Sequence, residues 1–398
     1  MINQRLDLLN DYPFQRLRDL LDPLDPPDGV TPLVMSIGEP KHSPPDLVAD
    51  IIQDHRADWN RYPPPAGTPE LRQSMAGWLT RRFALPEDLV DPERHLLPLA
   101  GTREGLFQAA LVCVPQKRPH GPPPVVLTPN PFYQVYAGAG VMAGAETVYL
   151  PATGDTGFLP DLDALSADLL TRTAMLYLCS PTNPQGAVAD DDYLDRALDL
   201  ALSYDFVLAM DECYAETYDQ TPPPSALQAA ARLGGGLSNL LVFHSLSKRS
   251  SAPGLRSGFV AGDQDLITLF ARLRSYAGAT IPMPIMAASA ALWDDDAHVA
   301  DNRARYGEKF DIAERILGDR FGFRRPQGGF FLWLDVGNGE EAAKKLWQQA
   351  GLRVLPGAYL ARDDESGDNP GASYIRVALV HEPAMVEDAL TRLVEVLR

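Results

Sequence analysis

Short apolar runs recur through the middle of the chain at residues 125–127, 147–150, 174–178, 206–210, 240–243 and 258–261. Each is apolar along its length rather than alternating, which suits a strand covered on both faces. Longer stretches with helix-like spacing separate them. The alternation predicts βαβ units and a mostly parallel sheet. The residues just after the runs are polar or aromatic: Asn130-Pro131-Phe132-Tyr133, Pro181-Thr182-Asn183-Pro184, Asp211-Glu212-Cys213-Tyr214 and Ser245-Leu246-Ser247-Lys248. In open α/β sheets, ligands bind beyond the carboxyl ends of the strands, so these groups are expected around one crevice. A further run, 96–99, leads into Gly101-Thr102-Arg103-Glu104 and a helical segment.

The pattern changes near residue 282. Residues 329–335, 352–355 and 374–379 read as strands, with helices over 302–317, 340–350 and 382–397. This predicts a smaller α+β domain over 282–398 beside a large domain over 46–281. Residues 1–45, with a helix over 13–21, are expected to pack on the small domain. Gly138-Ala139-Gly140-Val141-Met142-Ala143-Gly144 has the wrong spacing for a dinucleotide fingerprint. It reads as a small-residue helix packed close to its neighbour.

Composition narrows the function. With 398 residues, 45% hydrophobic and 22% charged, the chain has ample material for a large core. A net charge of -18 argues against nucleic acid or an anionic membrane as partner. Cys113, Cys179 and Cys213 show no metal-ligand spacing and read as free thiols of a cytoplasmic protein. The 36 prolines are scattered through loops and read as stiff connections.

Lys248 follows the run 240–243, at the end of a strand expected to be buried. A buried lysine is costly unless something uses it. Desolvation makes its amine a nucleophile suited to a carbonyl cofactor. Ser245, Ser247 and Arg256 are donors for an anionic group held nearby. Asp211 also ends an apolar run, and needs either a structural cation or a protonated ring nitrogen. The Gly101–Thr102–Arg103 turn is either an anion site of free N–H groups or a plain N-cap by Thr102. Arg376, inside an apolar strand, wants a carboxylate, from a structural pair or from a substrate. His244 reads as a packed residue. Ser245-x-x-Lys248 also fits the nucleophile motif of penicillin-binding proteins and β-lactamases. Those serine acylases also need Ser-Asp-Asn and Lys-Thr-Gly, and neither tripeptide occurs here.

Taken together, these residues resemble the class I and II aminotransferases of pyridoxal phosphate fold type I, from the N-terminal segment to the last helix. The resemblance implies an α/β fold, with a seven-stranded, mostly parallel sheet in the large domain and a smaller α+β domain. It implies pyridoxal 5'-phosphate bonded to Lys248, which also moves a proton during transfer. Ser245, Ser247, Arg256 and the turn Gly101, Thr102, Arg103 match phosphate ligands. Tyr133 matches the residue on the ring face, Asp211 the partner of the ring nitrogen, and Asn183 and Tyr214 the partners of the phenolic oxygen. Arg376, with the Gly38 backbone and Asn183, matches the substrate α-carboxylate site. Tyr62, in Tyr62-x-x-x-x-Gly67, matches a tyrosine that reaches the neighbouring subunit's phosphate, which implies a homodimer with shared active sites.

Within the family the greatest similarity is to the N-succinyldiaminopimelate aminotransferases, on Ser36-Ile37-Gly38-Glu39-Pro40-Lys41-His42, Asn130-Pro131-Phe132-Tyr133-Gln134-Val135-Tyr136 and Tyr374-Ile375-Arg376-Val377-Ala378-Leu379-Val380. It implies transfer between glutamate and the oxo form of the succinylated diamino acid, in lysine and diaminopimelate synthesis. Asn183-Pro184-Gln185-Gly186 departs from the usual Asn-Pro-Thr-Gly, and residues 277–284, expected near the substrate mouth, depart as well. The alternatives are an aspartate, aromatic or general amino-acid aminotransferase. A cofactor-sensing regulator of this fold is expected to need an added DNA-binding domain. Lys41 and Arg249 are candidate readers of the distal carboxylate.

Overall fold

The apolar runs form strands, and their burial explains their composition. In chain order the strands are β1 (Leu33–Val34), β2 (Leu96–Leu99), β3 (Val125–Asn130), β4 (Glu146–Pro151), β5 (Thr173–Cys179), β6 (Val207–Asp211), β7 (Leu240–Ser245), β8 (Gly258–Gly262), β9 (Phe331–Asp335), β10 (Leu352–Arg353), β11 (Leu355–Pro356) and β12 (Tyr374–Ala378). They are seen in a computed structural model that describes residues 2–116 and 121–398. One sheet has seven strands in the order β2-β8-β7-β6-β5-β3-β4. β3, β5, β6 and β7 are buried along their whole length, as strands covered on both faces must be. β8 runs antiparallel to both neighbours, and the other pairings are parallel. β4 departs from the expectation of full cover. It is the edge strand, and only Leu150 of it is buried.

The helix Pro69–Phe83 shows how local sequence sets an element. Thr68 Oγ accepts from the Leu71 N–H at 3.2 Å, proline occupies the first turn, and Ala84 at φ +49° ends the helix. Its buried face, Leu71, Met75, Trp78 and Leu79, packs against the helix Met283–Asp294. The Trp78 and Trp293 ring centroids are 4.7 Å apart. Met286, Leu292 and Trp293 thus belong to the core under the large sheet. The boundary expected at 282 would cut this packing, so we place it after this helix, before Ala297–Leu317.

The smaller unit is a three-stranded antiparallel sheet, β11-β12-β9. The helices Ala297–Leu317, Gly339–Ala350 and Pro383–Leu397 share its core. The run 352–355, read as one strand, is two: β10 pairs with β1 and β11 with β12. The chain changes sheets at Val354, which a continuous apolar run cannot reveal. The N-terminal segment touches both units. Leu17 and Leu21 of the helix Pro13–Leu21 pack with Trp333, Leu355 and Tyr359. Arg5 Nη1 donates to the Met142 carbonyl at 2.9 Å, on the large unit. The small-residue helix Gln134–Ala143 is as expected, since a Cβ on Gly140 would collide with Thr147.

Candidate active site

The ends of β2, β3, β5, β6 and β7 face a cavity of about 480 Å³ that the small unit and the N-terminal segment close from above. β2 stops just before Gly101, which takes φ +90° to turn the chain into the helix Thr102–Cys113. The positive φ requires glycine, and a Cβ there would also displace the Arg256 guanidinium. No side chain caps this helix, which leaves its first N–H groups free. Arg256 Nη1 donates to the Pro253 carbonyl at 2.9 Å, and Ser245 Oγ accepts from the Ser247 N–H at 3.1 Å. A helix N-terminus, a guanidinium and serine hydroxyls around one turn make a cradle for a phosphate dianion. Thr102 Oγ lies 3.1 Å from Cys213 Sγ. Arg103 Nε donates to the Tyr133 hydroxyl at 2.7 Å.

Lys248 is delivered by β7 through the one-turn helix Leu246–Arg249. Its Nζ donates to the Gly38 carbonyl at 2.6 Å and stands 5.2 Å from the Phe330 ring centroid. Burial pushes its pKa from 10.5 down to about 8, and the Arg376 guanidinium pushes the same way. The amine therefore gives up its proton far more readily than a surface lysine. The unfolded chain holds this proton up to its ordinary pKa of 10.5 while the folded chain releases it from about 8, so stability rises with pH in that window. Accordingly, the stability difference between cofactor-free Lys248→Ala and wild type should shrink between pH 8 and 10.5. Denaturant titrations at fixed pH values check this, and a difference constant across the window would contradict the depressed pKa.

Asp211 ends β6 inside the cavity. Tyr136 donates its hydroxyl to Oδ2 at 2.6 Å, and the Cys213 N–H approaches Oδ1 at 3.3 Å. Among the described residues it makes no ion pair. Burial raises its pKa, while the bonds from Cys213 and Tyr136 work against that rise. The carboxylate is thus oriented by neutral donors and still lacks a positive partner. Tyr136 is itself fixed by stacking on Tyr177, with centroids 4.8 Å apart and planes 9° apart.

Arg376 sits on the central strand β12, opposite Trp333. Nη1 donates to Asn183 Oδ1 at 3.1 Å and Nη2 to the Ser36 carbonyl at 2.8 Å, while the buried Nε has no partner. Burial lowers its pKa to about 10. A buried guanidinium with neutral partners and an idle donor is built to receive a carboxylate.

The cavity gathers Lys248, Asp211, Tyr133, Asn183, Tyr214, Ser245, Ser247, Thr102, Arg103, Arg256, Gly38 and Arg376. Gly101 adjoins it through Arg256. Tyr62 is elsewhere, fully exposed on a loop, near the exposed Trp59 in sequence. Arg249, a candidate reader of the distal carboxylate, is buried instead. It bonds Asp296 at 2.8 Å and the Leu292 carbonyl, and lies over the rings of Trp78 and Trp293. Lys41 pairs with Glu39 at 2.8 Å. Residues 277–284 line no part of the cavity in the single chain. His244 is packed as expected, buried among Trp78, Phe83 and Phe259 with Nε2 3.2 Å from Glu212. Three contributors were not foreseen. Tyr136 orients Asp211, and Tyr12 and Phe14 line the cavity from the N-terminal segment. The signal for Tyr136 was present, a polar-tipped aromatic one helical turn after Tyr133.

Comparison with known proteins shows the family. The family model "Aminotransferase class I and II" matches residues 31–393. A LL-diaminopimelate aminotransferase of Moorella thermoacetica is 31% identical over 377 residues, 93% of this chain and 92% of that one. An aminotransferase from Neisseria meningitidis of known structure is 42% identical, with all of both chains covered and a TM-score of 0.94. The aminotransferase AspB from Helicobacter pylori is 37% identical, covering 96% of this chain and 97% of that one, with a TM-score of 0.87. The Moorella enzyme's name is that of the unsuccinylated substrate, whereas the sequence motifs pointed to the succinylated one.

Proposed function

The chain belongs to the class I and II aminotransferases, and from its motifs we propose that it transfers the amino group of N-succinyl-LL-diaminopimelate to 2-oxoglutarate, and the reverse. The family works with pyridoxal phosphate on amino and 2-oxo acids. The residues present fit that cofactor. Asp211 is a buried carboxylate lacking only a cation, which a protonated pyridine nitrogen supplies. The glycine turn at Arg256 is shaped for its phosphate. When bound, the cofactor supplies the sink for the electrons left at the substrate Cα.

Each residue then has a task set by its surroundings. Asp211, held by Tyr136, would keep the cofactor's ring nitrogen protonated. Asn183 and Tyr214, which line the cavity, would donate to the cofactor's phenolic oxygen, and Tyr133 would pack on its ring. Arg376 receives the α-carboxylate and so orients the Cα–H bond. Lys248 Nζ takes the proton from Cα and later returns one, a role its lowered pKa suits.

Arg103 supports a donor with a second carboxylate, and the motifs shared with the N-succinyldiaminopimelate enzymes favour the succinylated one. Arg103 lines the same cavity as Arg376, is exposed, and among the described residues its terminal nitrogens make no hydrogen bond. A second guanidinium of this kind suits a donor with a remote carboxylate. Free LL-diaminopimelate, named in the Moorella relative, also has one and is the second reading. The test is a half-reaction screen. The loaded enzyme is mixed with succinylated diaminopimelate, free LL-diaminopimelate, glutamate, aspartate and aromatic amino acids, and the loss of the visible cofactor band is timed. The succinylated donor and glutamate should react fastest. Faster reaction with free LL-diaminopimelate would move the assignment to the second reading, and preference for aspartate or aromatic donors would overturn both. This reading includes a cytoplasmic homodimer, with exposed Tyr62 reaching the partner's phosphate site. No helix among the described residues is long and apolar enough to cross a membrane.

A further inference from the structure

Lys309 is completely buried, yet it makes no ion pair with a carboxylate among the described residues. Its Nζ lies 2.7 Å from His42 Nε2 and 4.8 Å from the Tyr306 ring centroid. His42 is buried as well, and its Nδ1 lies 3.2 Å from Asn302 Oδ1. Ser251 Oγ donates to the same oxygen at 2.9 Å. Asn302 Nδ2 then donates to two main-chain carbonyls, of Lys248 at 3.1 Å and of Arg249 at 3.3 Å. Arg305, Glu308 and Glu382 are the other charged groups facing this buried pair.

The hydrogen bonds run in one direction. Asn302 Nδ2 faces the two carbonyls, so its Oδ1 accepts from His42 Nδ1–H, and Nε2 then accepts from the Lys309 ammonium. The bond from Nδ1–H in turn holds the amide nitrogen toward the carbonyls of Lys248 and Arg249. Those carbonyls end a helix of four residues, Leu246–Arg249, too short to hold itself and left with unpaired acceptors. The same strap acts on the other end of Lys248. Gly38, four residues before His42, presents the carbonyl that accepts from Nζ.

We infer that Lys309 and His42 are positioning residues for the reaction at Lys248. Lys309 fixes the His42 tautomer, His42 fixes the Asn302 amide, and Asn302 holds the main chain from which Lys248 projects. This rests on the reading of Lys248 given above. It also explains why a lysine without a carboxylate is kept in a buried site next to the N-terminal strap.

Two measurements test it. In the wild-type loaded enzyme labelled with nitrogen-15 histidine, His42 should titrate as the Nδ1–H tautomer, and a proton on Nε2 would overturn the relay. In stopped-flow half-reactions, Lys309→Met should lower the rate of the chemical step about ten- to a hundredfold, the cost of slight misplacement of a reacting group. The apparent Kd for the amino acid should stay within about twofold, because Arg376 is untouched. The pH midpoint of the visible cofactor band should also move. An unchanged rate and midpoint in folded Lys309→Met protein would refute the inference. If that variant does not fold, His42→Ala carries the kinetic arm, and the tautomer decides in either case. Wild-type enzyme with no cofactor-dependent band would instead sink the reading of Lys248 itself.

Discussion

Lys248→Ala protein is expected to hold pyridoxal phosphate without bonding to it and to lose turnover by at least about 10⁴-fold, the upper range for removal of a positioned general base. The cradle at Gly101, Ser245 and Arg256 and the carboxylate of Asp211 stay in place, because none depends on the lysine side chain. Cofactor affinity should therefore fall much less than activity. Nothing nearby can replace Nζ. Its closest partner is the Gly38 carbonyl, and the cavity's other basic side chains, Arg376, Arg103 and Arg256, are guanidiniums rather than amines. Added small primary amines should restore part of the rate, since the cavity keeps its shape and gains the lysine's volume. Single-turnover kinetics with glutamate, beside equilibrium dialysis of the cofactor, separate the two effects. Equal losses of affinity and rate would mean that Lys248 is only a cofactor ligand.

Arg376→Ala is the second large effect. kcat/KM should fall about 10²- to 10³-fold, the range for removing one partner of a buried charged pair. The loss should be similar for every amino-acid and oxo-acid substrate, because all carry the α-carboxylate. The guanidinium is also a structural donor to Asn183 and to the Ser36 carbonyl, so thermal unfolding must be followed in parallel. Arg376→Lys keeps the charge but not the fork and should recover only part of the loss. An effect confined to one substrate would reassign Arg376 to that substrate's side chain.

The large unit was legible because its strands are buried on both faces, so 125–127, 174–178, 206–210 and 240–243 stand out as unbroken apolar runs. The site followed from what sits just after them. Lys248, Asp211 and Asn183 share one crevice because parallel strands put their carboxyl ends on one side. Packing between distant segments was not legible. Met283–Asp294 looks like the start of a new domain, but Trp293 meets Trp78 in the large core. Arg249 looks like a free cation beside Lys248, but the side chain turns into a buried slot beside two tryptophans. Residues 352–355 read as one strand, since nothing in an apolar tetrapeptide marks a change of sheet. Tyr12 and Phe14 reach the cavity only because the first segment crosses from the large unit to the small one.

The most direct measurement on the chemistry of Lys248 is reduction of the loaded enzyme with borohydride, followed by peptide mapping. One lysine should carry the mass of the reduced cofactor, and it should be Lys248. Modification of Lys309, Lys41 or any other lysine in its place, or no modified lysine in enzyme that turns over, would contradict the assignment.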